Sequence, residues 1–78
     1  MKNTHKINIA GVEMMLNSEN GEEYVQKLAA ELTRRISTIS LSAAGVSKLQ
    51  AAVVCALDLL DENVRLKMEI ADMKNHEN

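Results

Sequence analysis

Hydrophobic residues in the last third of the chain recur with heptad spacing, which predicts one long helix that pairs with another helix. From Ser47 to Lys74 the sequence contains neither glycine nor proline. Within this stretch, one row of residues repeats at spacings of 4, 3, 4, 3, 4 and 3, as in a coiled coil. We call this row the seam, and its members are Ala52, Ala56, Leu59, Asn63, Leu66, Ile70 and Met73.

The residue types in the seam and the charges beside it predict a parallel homodimer. An isoleucine at position a with leucine at position d favours two strands, and the single Asn63 at position a fixes the register at some cost in stability. In a parallel pair, Glu62 would face Lys67 of the second copy and Glu69 would face Lys74. An antiparallel pair would instead bring like charges together, which disfavours that arrangement.

The same helix has a second apolar row, which we call the second stripe: Leu49, Val53, Leu57, Leu60, Val64 and Met68. Up to Leu60 the helix is apolar nearly all round, which predicts burial inside a globular head. Beyond Asp61 the polar face widens. At roughly 1.5 Å per residue the helix would be about 42 Å long, too long for a small globule to enclose. We therefore expect a head over about residues 5–60 and a coiled-coil extension over about 61–75.

The beginning of the chain alternates between apolar and polar residues, which predicts a β-hairpin. Ile7 and Ile9 share one face, Gly11 interrupts the alternation, and a second alternating run extends from Val12 to Leu16. A hairpin alone is barely stable in water. Its apolar face must therefore pack against helices of this chain or of a partner.

A first helix is predicted between the hairpin and the long helix. Asn20 and Glu23 resemble a capping box, and a serine-rich segment from Ser37 to Ser47 indicates the helix end and a loop. Its apolar face comprises Val25, Leu28, Ala29, Leu32, Ile36 and Ile39. Ser47 and Gln50 give the capping pattern of the long helix. The sequence thus predicts one α+β domain: an N-terminal β-hairpin, one helix, and a long C-terminal helix forming a dimeric parallel coiled coil. Residues 1–4 and 75–78 are predicted to be frayed or disordered.

Composition narrows the classes of partner. A core built from one chain of 78 residues is marginal, so oligomerisation is expected. The net charge is −2 and Tyr24 is the only aromatic residue, so neither nucleic acid nor an anionic membrane is an expected partner. Cys55, the only cysteine, lies in the most apolar run and is expected to be a buried structural thiol. The start of the sequence lacks a signal-peptide pattern and no run reaches membrane-spanning length, which predicts a cytoplasmic protein.

No arrangement of residues predicts catalysis, a metal site or a cofactor. His5 and His76 lie at opposite ends of the chain with no cysteine, aspartate or glutamate at metal-ligand spacing around either, and neither is expected to have an orienting partner. Asp58 and Glu62 share a helix face, but a solvated edge is the preferred interpretation over a divalent ion site. We therefore predict a non-enzymatic protein with no cofactor, no metal and no small-molecule substrate.

Three motifs, taken in order, resemble the ZapA family of bacterial cell-division proteins. They are I-N-I-A-G at 7–11, Tyr24 and Val25 with Ala29 in the first helix, and A-A-V-V-C-A-L-D-L-L-D-E-N at 51–63. The resemblance covers about residues 6–70. Asp58 replaces the family's usual asparagine, and the tail after Ile70 is shorter than in longer members.

The resemblance implies a binding module at the mid-cell division site. ZapA-like proteins form dimers that can pair into tetramers, and they bind and cross-link filaments of the tubulin-like GTPase FtsZ. In the family, charged residues of the second strand and of the region around the helix–helix loop take part in that contact. At those places this chain has Glu13, Arg34, Arg35 and Lys48, which are therefore the expected FtsZ-binding residues.

Two other functions remain open from the sequence. One is a small ribbon-helix-helix DNA-binding regulator, which would require basic or amide side chains on the strand and a basic surface. The other is a generic coiled-coil adaptor with an unrelated partner.

Overall fold

The computed structural model describes residues 3–76, without the side chain of His76, and shows a β-hairpin followed by two helices. The elements are β1 (Asn3–Ile9), β2 (Val12–Ser18), α1 (Glu22–Ser42) and α2 (Lys48–His76). The predicted α+β architecture and its element order are confirmed. The expectation of fraying is wrong for Asn3 and Thr4, which lie in β1, and for Asn75 and His76, which lie in α2. Thr4 Oγ1 donates to Asn17 Oδ1 over 2.8 Å. For residues 1–2 and 77–78 that expectation lies outside the described residues.

The hairpin closes through a two-residue turn with left-handed backbone. Ala10 has φ 53° and Gly11 has φ 86°, the pair of positive values that a type I′ turn requires. The turn sets an antiparallel register in which Ile9 faces Val12, and His5 faces Leu16. The inner face of β1 therefore contains His5 as well as its two isoleucines.

Among the described residues, α1 packs on the first strand of the hairpin and leaves the second strand largely open. Ile7 is buried in a cluster with Val25 and Ala29 of α1, and Ile9 packs against this cluster. The inward residues of β2 keep 40–47% of their surface exposed: Val12, Met14 and Leu16. One half of the apolar face predicted to need a helix thus remains open in the single chain.

Both ends of α1 differ from the sequence prediction. The helix begins at Glu22 with Gly21 as N-cap and has no side-chain cap, so the expected capping box from Asn20 is wrong. The helix also continues to Ser42, past the expected end near Ile39. Three of its hydroxyl groups donate to helix carbonyls: those of Thr33, Thr38 and Ser42, with Ser42 Oγ 2.9 Å from Ile39 O. Such back-bonding is one way in which a serine or threonine hydroxyl is accommodated inside a helix.

The start of α2 agrees with the sequence prediction. Ser47 Oγ accepts from Gln50 N over 3.1 Å, and Gln50 Oε1 accepts from Ser47 N over 3.0 Å. This is the reciprocal capping box expected from the sequence.

Small side chains allow α2 to pack closely on α1. Ala51 and Cys55 are buried against Ile36, with 1% of Cys55 exposed, so the expected burial of this thiol is confirmed. The remaining sides of the first half of α2 are open, however. Leu49, Val53 and Leu57 are exposed by 60–74%, because α1 covers only one side of the helix.

Candidate interaction surfaces

The seam lies along a face of α2 that a single chain leaves mostly uncovered. Ala52 is half-buried near α1, and all later members are exposed. Leu59, beside Leu28 and Leu32 of α1, is 38% exposed, whereas the apolar members beyond it are exposed by 53–65%. The most exposed apolar members of the seam, Leu66, Ile70 and Met73, thus lie in the predicted coiled-coil extension.

The second stripe is also open to solvent. Every member is exposed by between 47% and 74%, and near the start of α2 Leu49 and Val53 line an open apolar cleft with Val46 and Val54. Exposed apolar surface that runs the length of a helix marks an interaction site in a soluble protein. Together, the two rows leave α2 with more apolar surface than this chain can bury.

Arg34 and Arg35, two of the four predicted FtsZ-binding residues, are held by ion pairs. Arg34 makes a two-bond contact with Glu31, through Nε at 2.9 Å and Nη2 at 2.6 Å. Arg35 Nε donates to the same Glu31 carboxylate, and Arg35 Nη1 donates to Glu62 of α2 over 2.6 Å. Hydrogen bonds from Arg34 and then Arg35 lower the pKa of Glu31 to about 2.

Lys48 and Glu13 lie elsewhere, near the turn of the hairpin. The Lys48 ammonium approaches the backbone of Gly11 so closely that a β-carbon there would sit 3.2 Å from Nζ. Lys48 also lines a cleft with Ala10, Ile36 and Leu41. Glu13 is exposed on β2, opposite Asn8.

The four predicted binding residues therefore do not form one patch. Arg34 and Arg35 line a second cleft with Cys55 and Asp58, on a different face of α1 from the residues that surround Lys48. The structure brings Lys48 to the hairpin turn, which the sequence does not show. It also commits the guanidinium of Arg35 to a contact between the two helices.

His5 is buried and has polar contacts that the sequence pattern did not predict. The expectation that neither histidine has an orienting partner is wrong for His5, which is only 4% exposed. Its Nδ1 contacts the Glu22 carboxylate and its Nε2 lies 3.1 Å from the carbonyl oxygen of Asn20. The partners are 15 and 17 positions away, so only the tertiary structure reveals them. The one sequence signal was that His5 shares the strand parity of Ile7 and Ile9. For His76 the same expectation lies outside the described side chains.

Within residues 3–76, no cluster of three or more histidine, cysteine, aspartate or glutamate side chains could hold a metal ion. No helix in that range has the length and apolar content needed to cross a bilayer.

Fold and surfaces together define a small α+β interaction module whose long helix exposes two apolar rows. The family model described as "Cell division protein ZapA" matches residues 6–78. The chain belongs to this family, as the motifs in its sequence predicted. Comparison with curated proteins and with solved structures found no match.

Membership of this family gives the coarse function. The family consists of structural cell-division factors associated with the Z ring, the filament ring at the division site, and it is not known as a family of enzymes. Its members interact with FtsZ in cell division.

Proposed function

We propose that this chain is a non-enzymatic division factor that binds FtsZ filaments and cross-links or stabilises them at the division site as a symmetric oligomer. The observation that supports this most directly is the family match over residues 6–78, joined to the exposed apolar rows of α2. A symmetric dimer presents each contact patch twice, and two weak contacts on a repetitive filament combine into strong bridging.

The dimer we propose is parallel and uses the seam. Its apolar members beyond Ala52 are exposed in the single chain, so pairing would bury them without disturbing the core between α1 and α2. The second stripe offers a further apolar face through which two dimers could form a tetramer. The division site lies in the cytoplasm at mid-cell, where we expect the protein to act.

For the FtsZ contact we retain Glu13, Arg34, Arg35 and Lys48. Their environments rank them: Glu13 is exposed and Lys48 lies at the hairpin turn, whereas both arginines are engaged by Glu31. Glu13 and Lys48, at the hairpin end, are therefore the first residues to substitute in a test of FtsZ binding. No nucleic acid, membrane or small-molecule partner enters the proposal.

Co-sedimentation with FtsZ assembled in the presence of GTP tests the proposal. We expect the chain to pellet with the filaments and to increase light scattering through bundling. Lys48→Glu and Glu13→Lys should reduce pelleting. Lys27→Glu is the matched control because Lys27 is an exposed α1 charge outside the proposed contact, 3.4 Å from Glu23. Pelleting that is no greater than without FtsZ would refute the proposal.

Binding and cross-linking can be separated with a variant that weakens the seam. Leu66→Ala with Ile70→Ala should leave the head able to bind a filament but unable to bridge two filaments. We therefore expect pelleting at high protein concentration with little bundling. Full bundling by a variant shown to be monomeric would mean that bridging does not depend on the dimer.

The two alternatives receive less support. A DNA-binding regulator would need a basic surface, whereas the chain has net charge −2 and its second strand has Glu13 as its only charged residue. The family match also favours a division factor over a generic coiled-coil adaptor. A salt-sensitive gel shift at low protein concentration would revive the first alternative.

A further inference from the structure

A cleft of about 450 Å³ opens where the hairpin turn, the second half of α1 and the start of α2 meet. We call it the turn cleft. Its walls include the apolar Ala10, Ile36 and Leu41 and the hydroxyl groups of Ser37 and Ser40. A volume in this range is that of a ligand pocket. The cleft is open on one side, so part of a peptide chain can enter it.

Lys48 is the one charged residue among those that line the turn cleft within residues 3–76. Its ammonium lies over the hairpin turn, where a β-carbon on Gly11 would be 3.2 Å from Nζ. None of the ion pairs among the described residues includes Lys48. Arg34 and Arg35, by contrast, are paired with carboxylates of their own chain. The turn cleft therefore combines apolar surface with a cation that no carboxylate of the described chain neutralises.

Packing and helix capping within the single chain explain neither Lys48 nor Leu41. Lys48 is the first residue of α2, and the helix dipole disfavours a cation at the amino end of a helix. The first turn of α2 contains no acidic residue that would offset this. Leu41, in the last turn of α1, is 87% exposed and so adds little to the core. Both side chains are thus placed to meet a ligand that has an anionic group beside an apolar one.

We propose that the turn cleft binds an acidic peptide segment of a protein partner. In this arrangement a carboxylate of the segment pairs with Lys48, and an aliphatic side chain next to it packs on Ala10 and Leu41. The inference deepens the proposed function, because it names the chemistry that Lys48 recognises on the partner. It rests on that function only for the identity of the partner as FtsZ.

The polar groups of the turn cleft favour a peptide over other anions. One ammonium pairs with one carboxylate, whereas nucleic acids and anionic membranes are held by several cations. Ser37 is exposed and Ser40 is half-buried on the α1 side of the cleft. Their hydroxyl groups can both donate and accept, as the amide groups of a peptide backbone require. The cation, the hydroxyl groups and the apolar surface thus match a carboxylate, a backbone and an aliphatic side chain.

Short peptides test the turn cleft without FtsZ. The probe is acetyl-leucyl-glutamyl amide, and we expect it to cause saturable shifts in the methyl NMR signals of Ala10, Ile36 and Leu41 at millimolar concentrations. The neutral analogue acetyl-leucyl-glutaminyl amide should bind about two- to fivefold more weakly, which is the range for an ion pair at an exposed lysine. Acetyl-glycyl-glutamyl amide should also bind more weakly, because it lacks the aliphatic side chain.

Variants of the chain assign the binding to particular residues. Lys48→Gln should remove the preference for the glutamyl over the glutaminyl probe, whereas Leu41→Ser should weaken both probes and keep the preference. Both residues are exposed, so neither change should unfold the chain, and methyl spectra without probe check this. Lys27→Gln is the matched control, since it makes the same change at an exposed α1 position outside the cleft. It should bind both probes as the parent chain does.

Two results would overturn the inference. One is the absence of saturable shifts at these methyl groups in the parent chain, and the other is a preference for the glutamyl probe that Lys48→Gln retains. Failure of the proposed function gives a different result, namely a parent chain that does not pellet with FtsZ. Probe binding and pelleting are measured on the full chain in separate experiments, so either can fail while the other succeeds.

Discussion

Arg35 and Glu62 join the two helices across 27 positions of sequence, with Arg35 Nη1 donating to Glu62 Oε2 over 2.6 Å. This contact raises the pKa of the Arg35 guanidinium, with Glu62 as the largest cause. Glu62 is also the residue that the heptad pattern places opposite Lys67 of a second copy. One carboxylate thus has two possible partners: Arg35 in its own chain and Lys67 in the proposed dimer.

A charge exchange between these two residues separates the two roles. We expect Arg35→Glu and Glu62→Arg each to lower the unfolding midpoint slightly, because each sets like charges against each other across the helices. The double variant restores the pair within the chain but leaves an arginine facing Lys67 of the second copy. Its unfolding midpoint should recover in part, because Arg35→Glu also loses the bond to Glu31, while its dimer dissociation constant stays raised. Thermal unfolding and analytical ultracentrifugation measure the two quantities. Recovery of both would argue against the parallel register.

Truncation of the exposed part of the seam should weaken the dimer without unfolding the head. Leu66→Ala with Ile70→Ala removes side chains that a single chain leaves more than half exposed. The dimer should lose about 2–5 kcal/mol for each site that pairing fully buries. Val64→Ala with Met68→Ala is the matched control, since it truncates exposed apolar residues of the second stripe. Sedimentation equilibrium should show a weakened dimer for the first variant only, and equal effects would place the dimer contact on both rows.

Asn63 should limit the stability of the coiled coil while fixing its register. Asn63→Leu replaces a polar residue at position a by an apolar one, so we expect a higher thermal midpoint and either loosened register or higher-order oligomers. Ultracentrifugation shows the change in oligomer size, and cross-linking at a single introduced cysteine in a Cys55→Ala background shows the change in register. An unchanged dimer with unchanged stability would remove Asn63 from the seam.

The tight contact between α1 and α2 should not tolerate a larger residue at Ala51. This residue is fully buried beside Ile36, so Ala51→Leu should destabilise the fold by about 1–3 kcal/mol through overpacking. Ala56→Leu makes the same change at an exposed seam position one and a half turns further along α2. Ala56→Leu should not destabilise the head, because its larger side chain can pack in the seam of the dimer. Urea unfolding with equal losses for both variants would contradict this packing.

The ion pairs of Glu31 with Arg34 and Arg35 should stabilise the fold until the pH is well below the usual range for a glutamate. Its pKa is lowered from 4.5 to about 2 by Arg34 and Arg35. Its contribution to stability is therefore fully present above the usual value and is lost as pH falls toward about 2. We expect Glu31→Gln to flatten this acid limb of the urea midpoint. The effect should be small and should shrink with added salt, because the cluster is at the surface. If the urea midpoint of Glu31→Gln falls at low pH as steeply as that of the parent, the loss of stability comes from other carboxylates.

Local patterns in the sequence were sufficient for the elements of the fold. Alternation around Gly11 gave the hairpin, and Ser47 with Gln50 gave the start of α2, because these signals act over two to four residues. The same locality explains the errors at α1. Its N-cap is Gly21 rather than Asn20, whose carbonyl lies against His5. The helix also continues beyond Ile39 to Ser42, whose hydroxyl bonds to the carbonyl of Ile39.

The contacts of the candidate binding residues could not be predicted from neighbouring residues in the sequence. Sequence could place Arg34 and Arg35 on one helix and Lys48 on the next, but could not show that Arg35 bonds to Glu62 or that Lys48 reaches Gly11. Those contacts depend on how the helices and the hairpin pack together, and Ala51 and Cys55 set the distance between the two helices. The seam and the second stripe are different, because helical periodicity alone identifies both.

The sequence by itself determined the order of elements, the apolar faces of the helices and the family resemblance, since each arises from residues near one another in the chain. Only the tertiary structure decided which of those faces this chain can cover. It buries His5 beside Glu22 and packs Cys55 on α1, and it leaves Leu66 and Ile70 exposed. The physical reason is that burial depends on the distance between elements far apart in sequence, which no local periodicity contains.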